Sequence, residues 1–348
     1  MSLGSVLFVG LGGAGQRHLR ILRRRLPQAR FMAYRHTSAT PLLTADFKTL
    51  PGHVEQTYDL TLFPTLPAAL DERPDMVVIS TPPALHYGPA LAAARRGLGL
   101  LVEKPWSNSL AGFATFHETV TRQGTPFHLS FQRRFHPLVR RVRDLVAAGR
   151  LGRIMRAHMM VASYVPAWHP YEDWRGLYAV RRDLGGGVLL TECHEIDLCC
   201  WLFGVPQRVS CVGGNFGPEP LEVEDTVELT LDYENFSVLL SLCFMQREAR
   251  RSIEIAGTGG HIFWQATGNR LTHVDYASGR RDEEADPEFP NDALFEAQAD
   301  ALLAACKNDT DDQLRSAWAS QAIIAAARLS MSERRAVVLP SYPSETVS

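Results

Sequence analysis

The chain carries little net charge, few cysteines and no long apolar run, and each shortage excludes something. Its 36 lysines and arginines nearly balance 38 acidic residues, for a formal net charge of -2. No basic field is available to hold nucleic acid or an anionic membrane. The arginine clusters Arg23–Arg25, Arg133–Arg134, Arg140–Arg141 and Arg250–Arg251 are short and scattered, and read as solvated faces. No apolar stretch approaches the roughly 20 residues of a membrane span. Val6–Val9 is too short for a signal sequence and runs straight into glycines. The six cysteines, at 193, 199, 200, 211, 243 and 306, lack metal-ligand spacing. They read as small core residues in a reducing cytoplasm, and no metal is expected.

What is present is enough apolar residue, 45% of 348 positions, to build two domains. The apolar run Val6–Val9 ends at Gly10, and Gly12 and Gly15 complete G-x-G-x-x-G, with Gly13 and Ala14 between them. A helix is predicted from His18 to Arg25. Gly10 permits the tight turn, Gly12 lets backbone approach a pyrophosphate, and Gly15 lets helix and strand pack closely. The helix N-terminus adds free N–H groups and the positive end of its dipole.

A second strand is predicted at Arg30–Arg35. NAD sites of this kind place an acid about 20 positions past the fingerprint. Here that place holds Tyr34 and Arg35, followed by His36, Thr37 and Ser38, with no carboxylate. A guanidinium with hydroxyls suits the 2′-phosphate of NADP; alternatively Arg35 stacks on the adenine and the cofactor is NAD. Residues 41–73 read as irregular, with a short helix near Leu66–Asp71. Buried strands are predicted at Asp75–Ser80, Leu98–Val102 and Pro126–Phe131. The intervening helices span Tyr87–Arg96 and Leu110–Gln123. This alternation is that of a doubly wound parallel sheet, whose ligands lie beyond the carboxyl ends of the strands. Thr81, Pro82, His86, Glu103 and Lys104 follow strand ends and are expected to face the cofactor. A partly desolvated lysine there can shuttle a hydroxyl proton; the plainer alternative is a surface Glu103–Lys104 ion pair.

The domain boundary is placed near Gln132, giving domains at 1–132 and 133–348, with the last helices packing back on the first domain. Helix Pro137–Ala148 and strand Arg153–Tyr164 precede an irregular stretch holding Trp168, Tyr178 and Arg181. Aromatic faces with fixed polar groups suit a sugar or polyol; the same residues also make a stiff self-packed loop. One helix is expected over Val188–Phe203, with Thr191, His194 and Leu198 along one face. A lone helical histidine is either a ligand-facing group or a satisfied core residue. Strands follow at Arg208–Gly213, Asp225–Tyr233, Ser237–Gln246, Ser252–Gly257, His261–Ala266 and Arg270–Asp275, with a hairpin turn at Glu234–Asn235. They predict an α/β domain with a large open, mostly antiparallel sheet, one face of which a partner subunit can cover. Helices close the chain at about Asp292–Lys307 and Leu314–Met331.

Five motifs together resemble the glucose-fructose oxidoreductase / inositol dehydrogenase / rhizopine-catabolism family. They are Gly10–Gly15 with His18, Ser80–Pro83 with His86, Val102–Pro105, Gln132–Pro137, and Gly185–Asp197. The resemblance implies a Rossmann domain followed by a sheet domain that forms homodimer or homotetramer contacts. It makes Lys104 and His194 the catalytic pair, and Glu103 and Thr81–Pro82 cofactor contacts. The implied reaction is hydride transfer between nicotinamide and a carbinol carbon of a sugar, amino sugar, nucleotide sugar or cyclitol. A cofactor-using hydrolase or a non-catalytic sensor of the same fold are the alternatives. Thr191 stands where many members carry an aspartate. Either Lys104 carries more of the acid–base work, or the substrates differ.

Overall fold

The computed structural model describes residues 3–35, 40–304 and 309–343, so His36–Ser38, Cys306 and Lys307 lie outside the described residues. The chain divides into two compact units. One comprises Met1–Ser130, His169–Asp173 and Phe295–Trp318; the other comprises Phe131–Trp168, Trp174–Leu294 and Ala319–Ser348.

The first unit runs β1 (Ser5–Val9), α1 (Gly13–Arg25), β2 (Arg30–Tyr34), β3 (Leu42–Leu43), β4 (Thr49–Leu50) and α2 (Val54–Thr57). It continues through β5 (Thr61–Phe63), α3 (Leu66–Asp71), β6 (Met76–Ile79), α4 (Tyr87–Ala94), β7 (Gly99–Glu103), α5 (Phe113–Gln123) and β8 (Phe127–Ser130). Six strands form one parallel sheet in the order β5-β2-β1-β6-β7-β8. Val6, Leu7, Phe8, Val77, Val78 and Ile79 of its centre are fully buried, each aliphatic side chain contributing roughly 1.5–3 kcal/mol. Strand order reverses between β1 and β6, which opens the ligand crevice of such sheets at their carboxyl ends.

Three expectations change here. α1 begins at Gly13, not His18: Gly12 caps it in extended geometry, and the Gln16 N–H already bonds the Gly12 carbonyl at 2.9 Å. The stretch 41–73 adds the β3–β4 hairpin and the edge strand β5. β5 was hidden because it is three residues long, with Thr61 and Leu62 exposed, so it has no apolar signature. Glu103 is the last residue of β7 rather than a residue beyond it.

The remaining elements are α6 (Pro137–Ala147), β9 (Ile154–Tyr164), α7 (Val188–Thr191), α8 (His194–Phe203), β10 (Arg208–Gly214), β11 (Thr226–Asp232) and β12 (Ser237–Cys243). Then come β13 (Met245–Gly257), β14 (Gly260–Gln265), β15 (Arg270–Asp275), β16 (Arg281–Ala285), α9 (Asp292–Ala304), α10 (Thr310–Glu333) and β17 (Val337–Val338). Nine strands form a sheet ordered β16-β15-β14-β13-β9-β12-β11-β10-β17, antiparallel throughout except where β12 runs parallel to β9. Alternation sets its two faces. Val227, Leu229 and Leu231 of β11 and Val238, Leu240 and Leu242 of β12 are buried, and α7 and α8 pack on this sheet. The opposite face carries a polar ladder: Glu228 accepts from Ser241, which meets His158 at 2.9 Å, beside the Arg156–Glu254 pair. The Glu234–Asn235 turn joins β11 to β12, with Tyr233 N–H on Phe236 O at 3.0 Å.

The single helix expected over Val188–Phe203 is two helices. α7 ends at Thr191, and α8 starts afresh at His194. Thr191 and His194 are therefore not one turn apart on a continuous face.

Candidate functional site

The glycine turn explains its own spacing. Gly10 has a φ of 91°, which favours glycine, and a Cβ there would lie 3.0 Å from Thr81 N. A Cβ on Gly15 would lie 2.5 Å from Ser80 Oγ and 2.7 Å from Gly10 O. The Ser80 hydroxyl donates to the Gly10 carbonyl at 2.9 Å, tying the end of β6 to the end of β1. A Cβ on Gly12, by contrast, would meet nothing within 4 Å. That open space adjoins the first turn of α1, which holds no acidic side chain and whose cap supplies none. Thr81 Oγ1 is buried without a hydrogen-bond partner among the described residues. An anionic dinucleotide fits this cradle, with the N–H groups of Gly13, Ala14 and Gly15 offered to its phosphates.

Arg35 stands just past β2 with its side chain mostly buried. Its guanidinium lies 3.3 Å from the Glu55 carboxylate and donates to Thr40 O at 3.3 Å. A carboxylate absent from the end of β2 thus stands beside Arg35, carried there by α2. No spacing rule could have found it, because Glu55 lies beyond an intervening hairpin.

His86 and Glu103 sit deeper than expected. His86 is fully buried, with Nδ1 2.9 Å from Pro105 O and Nε2 2.6 Å from Thr81 O. Burial pushes its pKa down, against the pull of the two carbonyls. Both ring nitrogens are turned to backbone, so His86 staples the turn after β6 to the turn after β7 instead of facing a ligand. Glu103 Oε1 accepts from His18 at 2.6 Å and from the Ser130 hydroxyl at 2.8 Å, while Oε2 accepts from the Lys104 N–H at 3.1 Å. Burial works to raise its pKa; the His18 hydrogen bond and charge, the Lys104 charge and the Ser130 bond outweigh it, and the net direction is down. Glu103 thus anchors the backbone of Lys104 from behind rather than presenting a carboxylate outward. Ser130 also meets Gln298 of α9 at 3.2 Å. Lys104 itself is half-buried at the end of β7, and its peptide bond to Pro105 is cis.

In the second unit, His194 is buried at the start of α8. The Gln132 amide lies 3.4 Å from its Nε2, and the Phe131 ring meets it edge-on at 6.0 Å. What brings them there is Arg134, bidentate on Asp197 of α8 at 2.9 and 2.5 Å. Burial raises the Asp197 carboxyl, and Arg134 opposes it. Arg251 of β13 reaches Glu192 at 3.0 Å and Glu195 at 2.8 Å, and Ser163 donates to Glu192 at 3.3 Å. The clusters Arg133–Arg134 and Arg250–Arg251 are therefore not simple solvated faces, since Arg134 and Arg251 serve buried acids. Glu195 is pushed up to about 7, first by burial and then by Glu192, against Arg251 and Arg133.

Thr191 is buried at the end of α7. Trp168 is half-buried, edge-on to Phe244 at 6.3 Å. Tyr178 is half-buried, and its carbonyl lies 2.5 Å from where a Gly186 Cβ would fall. Arg181 is exposed and bidentate on Asp183 at 3.0 and 2.5 Å. Among the described residues no group of three or more His, Cys, Asp or Glu side chains could hold a metal ion, and no helix is long and apolar enough to cross a membrane.

A parallel sheet with this strand order, a glycine phosphate turn and a lysine at a strand end beside the switch point define a Rossmann-type nucleotide-binding protein. The chain belongs to the GFO/IDH/MocA oxidoreductase family. The model described as "Oxidoreductase family, NAD-binding Rossmann fold" matches residues 5–131, and the GFO/IDH/MocA C-terminal domain matches residues 139–263. The chain is 28% identical over 145 residues to 2,7-anhydro-N-acetylneuraminate hydratase of Mediterraneibacter gnavus, covering 40% of this chain and 37% of that one. It is 31% identical over 140 residues to D-xylose 1-dehydrogenase (NADP(+)) 2 of Haloferax volcanii, covering 40% of this chain and 41% of the relative. The chain thus spans less than half the length of these curated relatives. In fold it resembles levoglucosan dehydrogenase solved with NADH and L-sorbose, with a TM-score of 0.79 at 20% identity over 98% of this chain and 100% of the other.

Proposed function

We propose that the chain is an oxidoreductase that transfers a hydride between nicotinamide and a carbinol or keto carbon of a sugar or cyclitol. The observation that carries this reading is the open cradle at Gly12, with Thr81 and Lys104 at the adjoining strand ends. The dinucleotide supplies the hydride chemistry when bound. Residues 1–132 hold it, through Gly10, Gly12, Gly13, Ala14, Gly15, Thr81 and Pro82, and residues 133–348 take the substrate. Lys104 moves the hydroxyl proton at its Nζ, with its backbone fixed by Glu103. His194 orients the hydroxyl oxygen, its ring supported by Gln132 and Phe131. Trp168, Tyr178 and Thr191 contribute to the substrate wall. The nine-stranded sheet is the surface proposed for homodimer or homotetramer formation.

Screening NAD(P)H turnover against free sugars, cyclitols and nucleotide sugars identifies the substrate. Lys104→Ala is then expected to lower kcat by about 10²–10⁴-fold, the worth of a positioned acid or base, with dinucleotide binding unchanged. Full activity in that variant removes Lys104 from the chemistry. A second reading is the cofactor-using hydrolase, in which the sugar is oxidised transiently, loses its glycosidic substituent by elimination and is re-reduced within one turnover. Similarity to a protein named as a hydratase rather than a dehydrogenase favours keeping it. Product formation without net NAD(P)H change favours it.

The choice of cofactor turns on Arg35 and Glu55. A 2′-phosphate takes the guanidinium in competition with Glu55, whereas a ribose hydroxyl donates to the carboxylate. Glu55→Gln is expected to shift the KM ratio toward NADP by about tenfold, or 1.4 kcal/mol. Arg35→Asp should shift it the other way. If neither moves it, this pair does not set cofactor choice.

A further inference from the structure

The β3–β4 hairpin ends in a tightly tied tip beside the phosphate turn. Thr44 N–H donates to Lys48 O at 2.8 Å, Lys48 N–H to Thr44 Oγ1 at 2.9 Å, and the Thr44 hydroxyl to Asp46 at 2.5 Å. Phe47 stands on this tip with a φ of 60°. A bulky residue in the left-handed region is a genuine outlier and persists only where its surroundings hold it. Core packing does not account for it, because the ring is only half-buried and Asp46 and Lys48 on either side are exposed.

What holds the ring is a set of groups around the cofactor loop. A Cβ on Gly13 would fall 2.5 Å from Phe47 Cε1, so the ring already fills the place of a side chain at that position of the fingerprint. Arg17, one turn further along α1, lays its guanidinium 4.8 Å from the Phe47 centroid and 4.7 Å from that of Phe295. It also donates to Ala45 O at 3.1 Å, fixing the hairpin to the helix. His169, from the second half of the sequence but part of this same unit, meets the Phe47 ring at 5.3 Å. It stacks on Tyr171 at 5.2 Å, and its Nδ1 lies 2.7 Å from Glu172. Two distant stretches of chain thus converge on one ring, beside the phosphate turn in which Gly12 is the fingerprint glycine with open surroundings.

We propose that Phe47 and His169 form a latch at the rim of the phosphate cradle, and that their contact retains a bound dinucleotide. This rests on the nicotinamide reading above. It explains why Gly13 is an extra glycine inside the fingerprint, since any side chain there would displace the latch. It also joins the segment beside Trp168 to the cofactor loop.

The test is the rate of NADPH and NADH release from the full-length protein, followed by stopped-flow fluorescence. Phe47→Ala and His169→Ala are each expected to speed release at least fivefold and to raise Kd in proportion. The double variant should be no faster than the faster single one, because both break the same contact. Thermal unfolding without cofactor checks that each variant is folded; should Phe47→Ala fail that check, His169→Ala alone decides. Release at the wild-type rate in the folded variants, or effects that multiply in the double variant, overturns the latch while leaving the cofactor reading intact. A wild-type protein that binds neither dinucleotide overturns the cofactor reading itself, and the latch with it.

Discussion

Each of the two proposed catalytic residues has a buried glutamate as its sequence neighbour, and the two glutamates are in opposite conditions. Glu103 precedes Lys104 in the first unit, and Glu195 follows His194 in the second. Burial alone raises both, because a low-dielectric surrounding disfavours the charged form. Glu103 overcomes this with the His18 hydrogen bond and charge, the Lys104 charge and the Ser130 hydrogen bond, and its pKa falls. Glu195 shares one guanidinium with Glu192, its Oε2 is buried without a partner among the described residues, and its pKa rises to about 7. Partner count, not burial, therefore decides which acid stays charged. The acid behind Lys104 is a fixed anion that holds a strand end. The acid beside His194 sits at the edge of titration near neutral pH.

The sharpest way to break this comparison is to remove the better-partnered acid. Glu103→Ala leaves His18 and Ser130 facing a hole and releases the Lys104 N–H. Losing one partner of a buried, hydrogen-bonded ion pair costs about 3–5 kcal/mol. Urea unfolding of the variant should show a loss of that order. A loss under about 1 kcal/mol, the scale of an exposed pair, would mean that the carboxylate is not anchoring β7. The sign with pH also follows. A lowered pKa contributes stability above the ordinary carboxylate range, and this is lost as pH falls through the lowered value.

The sequence made the first unit far more legible than the second, for a physical reason. The phosphate turn is local: strand, glycines and helix adjoin, and the steric demands at Gly10 and Gly15 come from the ends of β1 and β6. Thr81 and Lys104 could be placed because a strand end can be read from where an apolar run stops. Glu55 could not, since only the fold of the intervening hairpin returns α2 to Arg35. The same holds for Arg251, which looked like half of a solvated pair until β13 carried it to Glu192 and Glu195. The break between α7 and α8 had no local marker either. Residues 188–190 and 193–194 are buried on every side, and no glycine or proline interrupts them. The two glutamates flanking the break are both tied to Arg251 on another strand. Apolar periodicity reports burial, and it is silent about which buried acids find a shared cation.

The smaller effect, and the finer test, is Glu195→Gln. The amide resembles the protonated acid in size and shape, so stability in mild acid should change little, by less than about 1 kcal/mol. The difference lies in the pH dependence. The ordinary carboxylate value is 4.5 and the folded value about 7. Between them the unfolded chain has released this proton and the folded chain still holds it. The folded state binds more protons, so its stability falls as pH rises through the window and levels off above it. This is the reverse of the slope expected from Glu103. Urea midpoints of the wild type and Glu195→Gln, measured from pH 4.5 to 8, should diverge steadily up to about pH 7 and then run parallel, with the variant the more stable. Curves that stay parallel throughout would mean that Arg251 holds Glu195 charged as fully as His18 and Ser130 hold Glu103, and the two acids would then not differ in charge state.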